Sequence, residues 1–231
     1  MANKKGILYV MTTVLDGLIK VGRTGSDSFE QRMYNLEHTG YCNVTGLKRR
    51  FAIEVNGYIE KEEMFKKLFS RSRVADTELY SLDLQQVISL LSSFEGNIIY
   101  PKDETKEELF EQASEAVESS DLPDGEYYLS ATVNTANGKE KVNGILKVEN
   151  GILNLCKGSL IASVSKITVK GYNQARNEVS KENNVLLDDV KCDSVSMAAA
   201  IVCGSNQNGW DKWKDNKGNK IDIYRNHSDN E

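Results

Sequence analysis

The feature that most restricts this chain is a pair of short apolar runs, Ile7 to Val14 and Leu18 to Val21, set around Asp16-Gly17. Asp-Gly between β-rich residues favours a tight two-residue turn, so residues 7 to 24 are predicted to form a β-hairpin. With that turn, Leu15 faces Leu18 and Thr13 faces Lys20. Side-chain alternation then divides the hairpin. Leu8, Val10, Val14, Ile19 and Val21 share one apolar face. Tyr9, Met11, Thr13, Lys20 and Gly22 share the other, so a lysine at the centre of a strand points away from the expected core.

Helix and strand signals follow in turn. Asp27 and Glu30 match a capping box, and behind them Phe29, Met33 and Leu36 form an apolar stripe with Arg32 along it. A turn-rich stretch from His38 to Gly46 precedes a strand predicted at Phe51 to Val55. Tyr58 to Phe69 reads as a helix burying Phe65, Leu68 and Phe69, with Glu62 one turn before Phe65. A loop with Arg71 and Arg73, a short strand at Leu79-Tyr80 and a helix from Leu84 to Phe94 complete the unit.

Charge marks the next boundary. Residues 1–100 hold 13 Lys/Arg against 12 Asp/Glu, whereas residues 101–231 hold 16 against 22. The chain is therefore no general polyanion binder, and a nucleic-acid contact must use a local patch. The acidic run 101–122, bracketed by Pro101 and Pro123, reads as a solvated helix joining two domains. Beyond it, Tyr127 to Val133, Asn143 to Val148 and Ile152 to Cys156 show strand patterning. Ser196 to Cys203 reads as a small-residue helix ended by Gly204. Trp210 and Trp213 fall one helical turn apart and read as core rather than base-stacking aromatics. No internal repeat is present. The expected fold class is α+β, with a small, mostly antiparallel sheet flanked by helices in residues 1–100, a linker at 101–122, and a second α+β domain at 123–231.

Several chemistries are excluded. Cys42, Cys156, Cys192 and Cys203 show no C-x-x-C pairing, so reduced thiols are expected rather than a zinc site. Gly22-Arg23-Thr24-Gly25 lacks the spacer and Lys-Ser/Thr ending of a nucleotide P-loop. His38 and His227 are the only histidines, too few for a multi-histidine site, and His38 reads as a plain loop residue. The chain shows no secretory signal and no apolar run of the ~20 residues a membrane span needs, so a cytoplasmic protein without membrane contact is expected.

What is left suits phosphodiester hydrolysis: a tyrosine, a lysine, an arginine and a glutamate, each at the edge of an apolar face. Arginine can clamp a phosphate with paired hydrogen bonds and balance its growing charge. One carboxylate can hold Mg²⁺ (or Mn²⁺), which keeps several waters and takes few protein ligands. A tyrosine beside a cation loses its proton more easily and can activate water, and Lys20 is the candidate cation. The alternative for Lys20 is a lysine on a wet sheet face. Glu60 and Glu63 compete with Glu62 for the carboxylate role.

These residues carry a resemblance. Gly6-Ile7-Leu8-Tyr9-Val10 and Ile19-Lys20-Val21-Gly22 resemble the paired motifs of the GIY-YIG endonuclease superfamily. They are closest to its phage- and mobile-element-associated branch, where the second tyrosine is commonly lysine. Ser28 to Arg32 resembles the helix bearing that family's catalytic arginine, and Ile59 to Lys66 the helix bearing its metal-binding glutamate. Ser72-Arg73-Val74 and Thr77 to Asp83 resemble the closing segment. The resemblance covers residues 6–94 and implies a metal-dependent endodeoxyribonuclease acting on DNA in phage defence or mobile-element biology. It assigns catalysis to Tyr9, Lys20, Arg32 and Glu62, with Glu62 on the metal. Arg23, Lys48, Arg49, Arg50, Lys66 and Arg73 are expected to contact DNA phosphates. Two positions depart from the family: Leu36 stands where it has histidine or tyrosine, and Lys66 where it often has histidine. A non-cleaving DNA-binding or regulatory protein is therefore the alternative. Cys156-Lys157-Gly158-Ser159, the helix at Ser196 and Asn208 to Lys214 resemble an uncharacterised domain found at the end of some bacterial GIY-YIG proteins, a resemblance that supplies no mechanism; DNA or a protein is the partner expected for this domain.

Overall fold

A computed structural model of the chain describes residues 4–102, 104–135 and 138–225. The fold is α+β with antiparallel sheets, and the chain divides into two compact units, Met1–Ser114 and Glu115–Glu231.

The first unit is built on β1 (Lys5–Thr12), β2 (Leu18–Thr24), α1 (Phe29–Thr39), β3 (Lys48–Asn56), α2 (Tyr58–Leu68), β4 (Leu79–Ser81), α3 (Leu84–Ser92) and β5 (Gly96–Tyr100). The strands order as β4-β2-β1-β3-β5, every pair antiparallel. The hairpin forms with a register different from the simple expectation. Met11, not Thr13, lies opposite Lys20. Asp16-Gly17 does turn the chain, with Leu18 N donating to Leu15 O and Gly17 at φ +74°. Thr13, however, donates both its amide and its hydroxyl to Leu18 O, which closes a longer loop. Val14 is 71% exposed and leaves the apolar face it was assigned to. The shift is two residues, and an even shift keeps every side chain within the paired strands on its predicted face.

Both faces of this sheet are buried. Leu8, Val10, Ile19, Val21 and Phe51 pack with α2 and α3 residues such as Phe65 and Leu91. On the other face, Ile7, Tyr9 and Met11 pack under Phe29, Met33 and Leu36 of α1. The face carrying Tyr9 and Lys20 is thus a second core, and the wet-face alternative for Lys20 is corrected: its side chain is 0% exposed. Three further expectations change. The capping box does not form, because Ser26–Ser28 is a 3₁₀ turn and Ser28 caps α1 without a side-chain bond. Leu68 is 61% exposed, since α2 ends there and turns it outward. The strand β5, which follows the last element predicted for the unit, pairs with β3.

The acidic stretch forms α4 (Lys106–Ser120), and it is not solvated all round. Leu109 and Ala113 join the first unit's core. Farther along, Ala116 and Ser119 are buried, and Ser119 Oγ accepts from Val195 N. Small residues every three or four positions give this charged helix a narrow dry stripe.

The second unit adds β6 (Gly125–Thr135), β7 (Gly138–Glu149), β8 (Ile152–Leu155), α5 (Lys170–Glu178), β9 (Lys181–Glu182), β10 (Val185–Leu186), β11 (Val190–Cys192), α6 (Val195–Cys203) and α7 (Gly209–Lys212). Its main sheet runs β11-β8-β7-β6, and β9 and β10 form a small ribbon. α6 is buried along its whole length and ends at Gly204, φ +69°, as its sequence predicts. Trp210 and Trp213 are core residues at 2% and 0% exposure. The four cysteines are free thiols.

Candidate active site

Tyr9 lies in the middle of β1 under α1, fully buried, and its hydroxyl accepts a hydrogen bond from Arg32 Nε at 3.2 Å. Arg32 reaches it because the α1 stripe of Phe29, Met33 and Leu36 fixes the helix over this face. The neighbouring strand supplies the space. A Cβ on Gly22, opposite Tyr9, would lie 2.7 Å from the Tyr9 hydroxyl and 2.8 Å from Cζ, so only glycine admits the phenol here.

Lys20 is buried beside it. A buried ammonium is costly unless paired, and its partner is Glu78, which donates no strand position of its own but sits next to β4. The pairing of Lys20 with Leu79 brings that carboxylate alongside. The ammonium also lies 4.1 Å from the Tyr41 ring centroid and 5.4 Å from that of Tyr9, both favourable for a desolvated cation. Tyr41 accepts from Glu78 N at 3.2 Å, which ties the loop after α1 to the cluster. Glu78 and Tyr41 were not singled out from the sequence. The available signal was the demand of a strand-centre lysine for a carboxylate, but a three-residue strand gives no periodicity to place one.

Glu62 is 3% exposed on α2. Arg23 Nε donates to its Oε2 at 3.1 Å, and Lys66 Nζ forms an ion pair with Oε1 at 2.7 Å. Oε1 receives no hydrogen bond of good geometry, but the Lys66 ammonium is in contact with it, so a metal there would have to displace Lys66. Among the described residues no group of three or more His, Cys, Asp or Glu could hold a metal ion. A single buried carboxylate whose Lys66 partner swings away fits Mg²⁺, which takes most of its ligands from water and phosphate. Glu60 and Glu63 are exposed on the same helix.

The electrostatics bind these groups together. Burial pushes the Tyr9 phenol up to about 12, and the Arg32 hydrogen bond and charge only partly oppose it, while Glu78 and Glu62 add to it. The expectation that a neighbouring cation makes Tyr9 a readier base is therefore corrected: desolvation outweighs the cations. Burial lowers the Lys20 ammonium, and Glu78 works against that, with Arg32 and Glu62 acting at longer range. Arg32, Glu62 and Glu78 thus act on both Tyr9 and Lys20.

The remaining basic residues are distributed more widely. Arg23 and Lys66 stand against Glu62. Arg73 Nε donates to Thr77 O at 2.6 Å. Lys48 and Arg50 are exposed at the start of β3, Arg50 donating to Thr12 Oγ1. Arg49 forms a bidentate pair with Glu37 and a third bond to Glu30, so its guanidinium fastens β3 to α1. His38 belongs to α1 and stacks on Tyr34 with ring centroids 4.0 Å apart. His227 lies outside the described residues. No helix among the described residues is long and apolar enough to cross a membrane.

Comparison with curated proteins and with solved structures gave no match. A family model does match residues 135–225, within the second unit, and its description is Domain of unknown function (DUF4357).

Proposed function

We propose that the first unit is a divalent-metal-dependent endonuclease hydrolysing DNA phosphodiesters, with Mg²⁺ or Mn²⁺ as cofactor. One observation carries this reading: Arg32 donates to the Tyr9 hydroxyl, the Lys20 ammonium lies 5.4 Å from the centroid of the same ring, and Glu62 acts on the phenol's charge. A structural core has no need of so many ionisable groups around one buried phenol, and such groups cluster at functional sites.

Arg32, held by Tyr9, clamps the scissile phosphate and balances its charge. Tyr9 accepts the proton of the attacking water in its ionised form, and Lys20 offsets the negative charge that forms on its oxygen. Glu62 would hold the metal through Oε1. When bound, the metal supplies charge stabilisation at the leaving oxygen. Arg23 and Lys66 add positive charge beside Glu62, and Lys48, Arg50 and Arg73 lie outside this cluster as contacts for flanking phosphates. Arg49 serves the fold.

The test is Mg²⁺- or Mn²⁺-dependent cleavage of mixed single- and double-stranded DNA. Glu62→Ala and Arg32→Ala should each lower the rate at least about a hundredfold. Activity that survives both substitutions overturns the assignment. A second reading, a DNA-binding module that does not cleave, is favoured by the two cations already facing Glu62. It predicts salt-sensitive DNA binding without cleavage under either metal.

A further inference from the structure

The second unit carries an open sheet face that the fold leaves uncovered. Alternation buries Leu129, Leu146, Val148 and Leu155 on the inner side. Outward, Tyr128 stands directly opposite Ile145, and these residues are 41% and 39% exposed. Lys214 extends this row: it bridges to Tyr128 along the outer edge of β6 through backbone bonds of 2.8 and 2.9 Å. Ser130 and Asn143 form the next row, and a groove of about 740 Å³ runs between these rows and residues 212–218.

Charge on this face opposes that of its surroundings. Residues 101–231 are acidic in excess, yet the outward positions of the sheet hold Lys139, Lys141, Lys147, Lys191 and Lys214. The acids there are Glu126 and Glu149, engaged with the Tyr128 hydroxyl and with Lys147, and Asp215 in the groove wall, which accepts from Lys217 N, Asn219 and Tyr224. A sheet face with an exposed aromatic, flanking lysines, an amide and a hydroxyl has the elements of a stacking platform for bases.

We propose that this face binds single-stranded nucleic acid. Tyr128 stacks a base, with Ile145 extending the platform. Lys139 and Lys141, outward neighbours on β7 about 7 Å apart, take successive phosphates, and Asn143 and Ser130 meet base edges. Stacking on Tyr128 requires a base outside a duplex, which selects single strands. The inference uses the second unit alone and does not rest on the hydrolytic reading.

The full chain, held in chelator, is titrated with a fluorescein-labelled oligothymidylate, and an iododeoxyuridine-substituted copy is photo-crosslinked and mapped by mass spectrometry. Crosslinks are expected on Tyr128 and its sheet neighbours. Tyr128→Ala should weaken binding about tenfold, and Lys139→Glu with Lys141→Glu should reduce the salt slope by about 1.4. These positions are exposed, so unchanged melting curves are expected to accompany the loss. No binding, crosslinks confined to residues 4–102, or variants that bind like the parent would overturn the proposal. So would an oligoglutamate peptide that displaces the oligonucleotide as well as unlabelled oligothymidylate does, which would assign the face to acidic proteins.

Discussion

Glu78→Ala should destabilise the first unit by about 3 kcal/mol, far more than its partial exposure suggests. Lys20 is 0% exposed and Glu78 25%, so removing the carboxylate strands an ammonium where water cannot reach it. Breaking a buried pair from one side costs roughly 3–5 kcal/mol, and the outer position of Glu78 argues for the lower end. The account also predicts what relieves the loss. Lys20→Met together with Glu78→Gln removes both charges, and the double variant should return to within about 1 kcal/mol of the parent, because no lone charge remains. Cleavage should stay lost, since the cation beside Tyr9 is gone. Denaturant unfolding, followed by the transition of the first unit, measures the two stabilities, and the DNA cleavage assay the activity. A double variant as unstable as Glu78→Ala would show that shape, not charge, holds this cluster.

Gly22→Ala is the second large effect. Its Cβ would meet the Tyr9 hydroxyl at 2.7 Å, Cζ at 2.8 Å and Glu78 Oε2 at 3.2 Å. The phenol is buried between two strands and α1, so it cannot swing aside cheaply. Overpacking of this kind costs about 1–3 kcal/mol, and the displaced phenol loses its Arg32 bond. A shift of about 1 Å at a reacting group can cost a hundredfold in rate, and a fall of that order in cleavage is expected. Gly25→Ala is the control, with nothing within 4 Å of its Cβ, and should change stability by less than about 0.5 kcal/mol. A double-mutant cycle of Gly22→Ala with Tyr9→Phe adds a sharper check. Without the hydroxyl, part of the clash disappears, so the two penalties should sum to more than the double variant shows.

These effects show which parts of the molecule were legible in its sequence. The face shared by Tyr9 and Lys20 could be read from alternation, and it survived an error in register because the slip was even. The slip itself could not be read. It comes from Thr13 closing the loop with side-chain and backbone bonds, which compete with the tighter Asp-Gly hairpin. Burial of that face depended on α1 folding back over it, and an apolar stripe does not say which surface it will cover. Glu78 was hidden for a related reason: its partnership with Lys20 arises from strand pairing across 58 residues. The direction of the Tyr9 shift was misjudged because nearby charges are visible in a sequence, whereas the desolvation that outweighs them belongs to the packed fold. In the second unit, Gly204 and the core tryptophans were readable from local chemistry. The dry stripe of α4 was not, being only four small or apolar residues wide among carboxylates.

The most direct measurement is the pH dependence of single-turnover DNA cleavage by the parent and by Tyr9→Phe, with metal saturating. Tyr9 must lose its proton to accept one from water, and burial holds that proton until about pH 12. The ionised fraction, and with it the rate, should therefore rise about tenfold per unit between about pH 6 and pH 9, and Tyr9→Phe should be inactive throughout. A parent profile that is flat over this range, or a Tyr9→Phe variant that cleaves with the parent's rate and slope, would contradict the account.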